Sequence, residues 1–257
     1  MAKLSVNLNK IALVRNSRAG QYPDVLSFAK CAFEAGAVGI TLHPRPDQRH
    51  VRPSDVMDIK TLLDELSPIA ELNIEGNPFA IANDSGYPGF DKIIEKSAPN
   101  QITLVPDDAS QLTSDHGWEL KKEHNRLGKK IEKYRTAKTR VSLFLDPDLT
   151  QIRLAKELGA DRIELYTGPF AEVFDRYGSA HPTTQNLFSK YSEAAVLAGE
   201  LGLGVNAGHD LNLHNLTMFS RLPNLAEVSI GHAIVVDALH VGFNQTIQDY
   251  LNALQPN

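Results

Sequence analysis

Gly39-Ile-Thr-Leu-His-Pro-Arg-Pro-Asp-Gln-Arg-His50 reads as a short strand that opens into a loop dense in histidine and arginine. His43 and His50 titrate near neutral pH, so either can carry a proton. Arg45 and Arg49 are fixed cations whose planar donors match phosphate or carboxylate. A strand whose C-terminal end carries the chemistry is what a parallel barrel of βα units presents to its substrates.

The rest of the chain repeats that unit. Short runs rich in Val, Ile and Leu alternate with longer helical segments, as in a parallel sheet with crossover helices. The candidate strands are 4–9, 39–43, 71–75, 101–105, 140–146, 162–167, 204–207 and 227–231. Helices are expected over 24–35, 54–65, 90–97, 119–137, 149–158, 183–201, 211–221 and 233–254. Eight such units in 257 residues predict an α/β fold of the TIM (β/α)8 barrel type, with residues 1–257 as one domain. No linker, low-complexity tract or charge block divides the chain.

Parity within the strands is informative. Val6 and Leu8, Ile40 and Leu42, Leu72 and Ile74, Val141 and Leu143, Ile163 and Leu165, Val205, Val228 and Ile230 share one face, which should meet the helices. The opposite face carries Asn7, Asn9, Thr41, His43, Asn73, Glu75, Ser142, Glu164, Asn206 and Ser229. Parallel strands are usually apolar on both faces. A polar upper lumen therefore points to a binding cavity, with an internal hydrogen-bond network as the other reading.

Composition narrows the function. A formal charge of −5, a pI near 6.0 and no basic tail leave no electrostatic footprint for nucleic acid. An anionic small molecule would need a local basic pocket. The single cysteine, Cys31, excludes a disulfide framework or a multi-thiolate metal site, and suggests a cytoplasmic protein. The sequence shows neither a signal peptide at its start nor an apolar run long enough for a membrane span. It also has no His-x-His or Cys/His cluster for a dedicated metal and no glycine-rich dinucleotide fingerprint.

The strand ends supply the candidate site. Glu75 closes Glu-Leu-Asn-Ile-Glu on the inward parity, where burial would raise its pKa towards that of a useful general base; a structural ion pair is the alternative. His43 is either a proton carrier or a histidine hydrogen-bonded at the rim. His209 follows Asn206-Ala-Gly, where a glycine allows a tight turn that presents the ring over the barrel mouth. Gly231-His232 stands before the last helix, where backbone N–H groups favour a phosphate. Arg18 is an anion ligand or a solvated loop residue, and Thr113 caps a helix or binds phosphate.

Taken together, the motifs resemble the pyridoxine 5′-phosphate synthase family of the deoxyxylulose-phosphate-dependent route to vitamin B6. The likeness runs from Val6 to about Leu251. It is carried by Val-Asn-Leu-Asn-Lys-Ile-Ala-Leu-Val-Arg-Asn-Ser-Arg (6–18), the opening stretch (39–50), Leu-Asn-Ile-Glu (72–75), Leu-Val-Pro (104–106), Val-Ser-Leu-Phe-Leu-Asp (141–146), Ile-Glu-Leu-Tyr-Thr-Gly (163–168), Val-Asn-Ala-Gly-His (205–209) and Ile-Gly-His-Ala-Ile (230–234). The resemblance implies a barrel assembled as a homo-octamer that needs no cofactor. It would condense 1-deoxy-D-xylulose 5-phosphate with 3-amino-2-oxopropyl phosphate to give pyridoxine 5′-phosphate, phosphate and water. It further implies His43 and Glu75 as proton acceptors and His209 as proton donor. Asn7, Arg18, Gly231 and His232 would bind the amino-ketone phosphate, and Arg45, His50 and Thr113 the deoxyxylulose phosphate. Two departures stand out: Asn9-Lys10 occupies a place where many members carry Asp-His, and Asp210 one where glycine is usual. Both places lie in the substrate site. Two rival functions share the barrel: a Schiff-base aldolase or phosphosugar lyase with Lys10 as nucleophile, and a non-catalytic phosphate-ligand-binding barrel.

Overall fold

Eight parallel strands close on themselves in sequence order: β1 (Lys3–Asn7), β2 (Gly39–Leu42), β3 (Glu71–Gly76), β4 (Gln101–Leu104), β5 (Arg140–Leu145), β6 (Arg162–Leu165), β7 (Gly204–Ala207) and β8 (Leu225–Ile230), with β8 pairing back on β1. This computed structural model describes residues 2–66, 69–108, 111–135 and 138–255. Around the barrel run α1 (Asn9–Asn16), α2 (Val25–Glu34), α3 (Pro53–Leu66), α4 (Phe90–Ser97), α5 (Leu120–Tyr134), α6 (Leu149–Glu157), α7 (Gly168–Tyr177), α8 (Pro182–Glu200), α9 (Leu213–Phe219), α10 (His232–Val241) and α11 (Phe243–Ala253). The expected (β/α)8 barrel is present. The expected end at Ala137 of the helix beginning at Glu119 lies outside the described residues.

Val6, Ile40, Leu42, Leu72, Ile74, Val141, Leu143, Ile163, Leu165, Val205, Val228 and Ile230 form the buried layer between strands and helices. Burying each such side chain contributes about 1.5–3 kcal/mol, which is the main force holding the helices on the barrel.

The inner face is polar almost throughout. Parity and register stack it in tiers drawn from alternate strands. Lys3, Glu71 and Arg140 lie at the base, then Gln101, Arg162 and Glu227, then Ser5, Asn73, Ser142 and Asn206. Thr41, Thr103, Glu164 and Ser229 follow, and Asn7, Glu75, Phe144 and Gly208 form the mouth. The lower tiers are linked by hydrogen bonds, although Ser142 Oγ and Asn206 Nδ2 have no partner among the described residues. Arg162 donates to Asn206 at 3.0 Å and to Glu227 at 3.1 Å, Gln101 donates to Glu227 at 3.2 Å, and Thr103 donates to Asn73 at 3.1 Å. The polar lumen thus divides by depth, with a hydrogen-bonded floor below and an open cavity above.

Several elements differ from the sequence expectation, among them α1, an additional helix, and β6, which ends at Leu165. The first strand ends at Asn7 rather than Asn9, because the Asn7 side chain accepts the Asn9 N–H at 2.9 Å and turns the chain into α1. Helix α7 is additional, begun by Gly168 with Pro169 in its first turn, a position where proline's missing N–H costs nothing. The last helix is two, because Gly242 (φ 88°) ends α10 and starts α11 in a conformation that a side chain would resist.

Candidate active site

A cavity of about 760 Å³ opens at the C-terminal ends of the strands, lined by Asn7, Asn9, Lys10, His43, Arg45, Arg49, His50, Glu75, Thr113, Glu164, Tyr166, His209, Asp210, Gly231 and His232, among others. That volume suits two small phosphorylated molecules. The first turns of α1, α7 and α10 all reach its wall, so backbone N–H groups and helix dipoles add positive potential.

At the centre is Glu75, only 12% exposed. Burial raises its pKa well above the ordinary carboxylate range, and the nearby carboxylates of Glu164, Asp107 and Glu227 raise it further, with Arg45 opposing. Glu164, one tier below, is raised in the same way by burial and by Glu227. The two behave as a pair reluctant to lose its last proton. Asn7 Nδ2 donates to Glu75 Oε2 at 3.3 Å and fixes the carboxyl's orientation. His43 Nδ1 lies 3.9 Å from the same oxygen, too far for a direct hydrogen bond. Burial, then Arg45 and His50, hold His43 well below its usual pKa, so it is a neutral proton acceptor.

Asn9 is the first residue of α1, not a strand residue, and its Oδ1 accepts the His43 backbone N–H at 2.9 Å. An acceptor oxygen is all that this contact needs, so the missing negative charge at position 9 leaves the placement of His43 intact. Lys10, in the same first turn, is the cation facing the cavity beside it.

The β2–α3 loop is held from behind. Arg15 and Asp55 form a buried ion pair (2.5 Å), Arg15 also donates to the His50 carbonyl, and Asn16 Nδ2 reaches the carbonyls of Gln48, Arg49 and His50. His50 Nδ1 accepts the Val51 N–H at 2.9 Å, which places the imidazole proton on Nε2. Burial, then Arg45 and Lys10, lower its pKa to about 3, so His50 is a neutral donor and not a cation.

Arg45 lines the cavity as a residue already engaged with the protein. It is buried, its Nη1 lies 3.1 Å from Asp107 Oδ2, and its Nη2 donates to the carbonyls of Asp108 and Gln111. Arg49 joins it, donating to Asp47 and to the carbonyls of Gln111 and Leu112. The two arginines pin the β4–α5 loop, and Arg45 still contributes charge to the cavity wall.

Across the mouth, His209 is set at the end of β7. Gly208 is required there by close approach rather than by an unusual φ, since a Cβ would fall 2.0 Å from the Ser229 carbonyl oxygen. The His209 ring meets Thr113 Oγ1 through Nε2 (2.8 Å) and Asp210 Oδ2 through Nδ1 (3.0 Å), with Tyr166 edge-on at 5.3 Å. Gly231 likewise lets the chain pass Asn7, whose backbone oxygen would lie 2.8 Å from an added Cβ, and it places His232 at the start of α10.

The candidates thus gather in one cavity except Arg18, which is exposed in the turn after α1 and does not line the pocket of a single chain. Glu164, Asp107, Tyr166 and the wall formed by α7 enter the site without having been assigned a role from sequence. The inward parity of Glu164 and the strand-end position of Tyr166 were the available signals.

A protein-family model described as pyridoxal phosphate biosynthesis protein PdxJ matches residues 4–256. A pyridoxine 5′-phosphate synthase of Xanthomonas campestris pv. campestris is 49% identical over 249 residues, which cover 96% of this chain and 94% of that protein. One of Rhizobium meliloti is 47% identical over 255 residues, covering 98% and 97%. Among solved structures, phosphoribosyl anthranilate isomerase from Thermotoga maritima superposes with a TM-score of 0.57 at 13% identity, covering 99% of this chain and 98% of that one. Thiamine phosphate pyrophosphorylase from Pyrococcus furiosus does so with a TM-score of 0.59 at 10% identity, covering 98% and 95%. At such low identity these two structures show the shared fold alone.

Proposed function

The chain belongs to the PdxJ family of pyridoxal phosphate biosynthesis proteins and is an enzyme of vitamin B6 biosynthesis; we propose that the strand-end cavity is where its reaction occurs. The reaction is that of a pyridoxine 5′-phosphate synthase, condensing 1-deoxy-D-xylulose 5-phosphate with 3-amino-2-oxopropyl phosphate to pyridoxine 5′-phosphate, phosphate and water. The observation that carries the reading of the site is Glu75, a buried carboxyl with raised proton affinity, between neutral His43 and a cavity wall built for anions. The aldolase reading through Lys10 and the non-catalytic barrel are not favoured by the activity for which the relatives are named.

The chemistry needs protons moved in both directions. The amine of one substrate condenses with the ketone of the other, and protons then leave carbon while oxygens depart as water. Glu75 takes protons from carbon near neutral pH, His43 is the second acceptor beside it, and His209 donates to departing oxygens across the mouth. The amino-ketone phosphate sits on the first turn of α10, with Gly231, His232 and Asn7. The deoxyxylulose phosphate meets His50 Nε2–H, Thr113 and Lys10, under the positive potential of Arg45. Anchoring both phosphates brings the reacting carbons together over Glu75.

Mixing the purified protein with both substrates is expected to yield pyridoxine 5′-phosphate and inorganic phosphate, read by mass spectrometry and a phosphate assay. Two bound substrates with no product would overturn the proposal.

The proposal extends to a homo-octamer of one-domain chains in the cytoplasm. Its support is α10, where Ile234 is the one buried residue while Val236, Leu239 and Val241 are exposed, and α1, which packs beside it with Leu13 and Val14 exposed. Apolar surface of this kind marks a protein interface. No described helix is long and apolar enough to cross a membrane. Light scattering should give the mass of eight chains, and a monomer mass would refute the assembly.

A further inference from the structure

We infer that Asp210 is a positioning residue for His209, forming with it a carboxylate–imidazole dyad that keeps one ring proton on Nδ1 and aims Nε2 at the reacting centre; this rests on the synthase reading above. The geometry allows one assignment. Asp210 Oδ2 lies 3.0 Å from Nδ1, and an ionised carboxylate can only accept, so Nδ1 carries the hydrogen. Nε2 of the neutral ring is then the acceptor for the Thr113 hydroxyl at 2.8 Å, and it is the atom that exchanges a proton with substrate. The backbone around the dyad is fixed: Thr167 donates to the His209 carbonyl and Asn215 Nδ2 to that of Asp210.

Position 210 itself adds a second observation. Asp210 sits at φ 62°, the left-handed region where glycine is at ease and an aspartate is tolerated at a cost. An aspartate placed in a conformation made for glycine, with its carboxylate on the proton donor, trades backbone ease for chemistry. The hydrogen bond to His209 is the largest cause holding the Asp210 carboxyl below its usual pKa, so it stays ionised and accepts from Nδ1.

The charged and titratable groups that meet this ring are Asp107 from the β4–α5 loop, Tyr166 from the end of β6 and Asp210 from its own loop, with Asp115 acting on Asp107 and Tyr166. Lys10 and His232 act on Asp210 from α1 and α10. All but Asp210 remain in the variants, so a change in titration reports on the dyad. A histidine that donates a proton works only while protonated, and loss of the carboxylate should move the alkaline limb of turnover to lower pH.

The test compares pH profiles of kcat for the whole enzyme, Asp210→Asn and Asp210→Gly. Asparagine keeps an acceptor oxygen but loses the charge, whereas glycine loses both and relieves the backbone. Both variants are expected to shift the alkaline limb down by about one pH unit, a tenfold loss of turnover above it, and Asp210→Gly should melt no lower than the parent. An unmoved alkaline limb in both variants overturns the dyad, even if turnover falls. A parent that forms no pyridoxine 5′-phosphate overturns the synthase reading instead, so the two failures are distinct.

Discussion

Glu75→Gln is expected to reduce turnover by about 10²–10⁴-fold while each phosphorylated substrate still binds within a few-fold of the parent affinity. The substitution keeps the shape of the side chain and an oxygen for the Asn7 amide, which now lies 3.3 Å from Glu75 Oε2. It removes only the ability to take a proton. Glutamine also mimics the protonated carboxyl that burial and the neighbouring Glu164 already favour, so the barrel should melt at the same temperature or higher. The parent's pH profile should show the matching sign. A general base works when deprotonated, and a raised pKa moves the acid limb of turnover above the pH of an ordinary carboxylate. Single-turnover kinetics with calorimetry of each substrate separates chemistry from binding, and parental turnover in the glutamine variant would remove Glu75 from the mechanism.

The barrel was legible because its signals are local and repeated. Short apolar strands alternate with helices, and the polar parity of Asn7, Thr41, Asn73, Glu75, Ser142 and Asn206 survives in a single pass along the chain. Helix α1 was hidden because Val6-Asn7-Leu8-Asn9 continues the strand alternation, and only the Asn7 side chain capturing the Asn9 N–H ends it. The gathering of His43, Glu75 and His209 followed from their strand-end positions. What each does depends on partners that periodicity cannot name. Asn9 holds the His43 backbone across 34 residues, Val51 decides which His50 nitrogen is protonated, and Asp107 neutralises an arginine that alone looks like a phosphate ligand. Such contacts form when the loops fold over the mouth, so the residue types and the raised pKa of Glu75 were readable, while the pairing and the protonation of the histidines were not.

Arg45→Ala tests that last point and should cost more than a lost substrate contact. Arg45 and Asp107 are both nearly inaccessible, with side chains 4% and 3% exposed, and Arg45 also donates to two carbonyls of the β4–α5 loop. Removing the guanidinium strands a buried carboxylate whose only other hydrogen-bond donor among the described residues is the Ser114 hydroxyl. Breaking one side of a buried pair costs about 3–5 kcal/mol, which in a chain of this size lowers the melting temperature by roughly 6–20 °C. Deoxyxylulose phosphate affinity should fall as well, because the loop that carries Thr113 loses its anchor. Adding Asp107→Asn to Arg45→Ala separates the two effects. A neutral amide needs no counter-ion, so the double variant should regain most of the melting temperature, yet the cavity still lacks the arginine's positive potential and affinity should remain low. Calorimetric melting and substrate titration of the four proteins in this cycle decide the matter. If Arg45→Ala melts with the parent, the pair does not hold the loop; if the double variant regains affinity along with stability, Arg45 serves the substrate only through the fold.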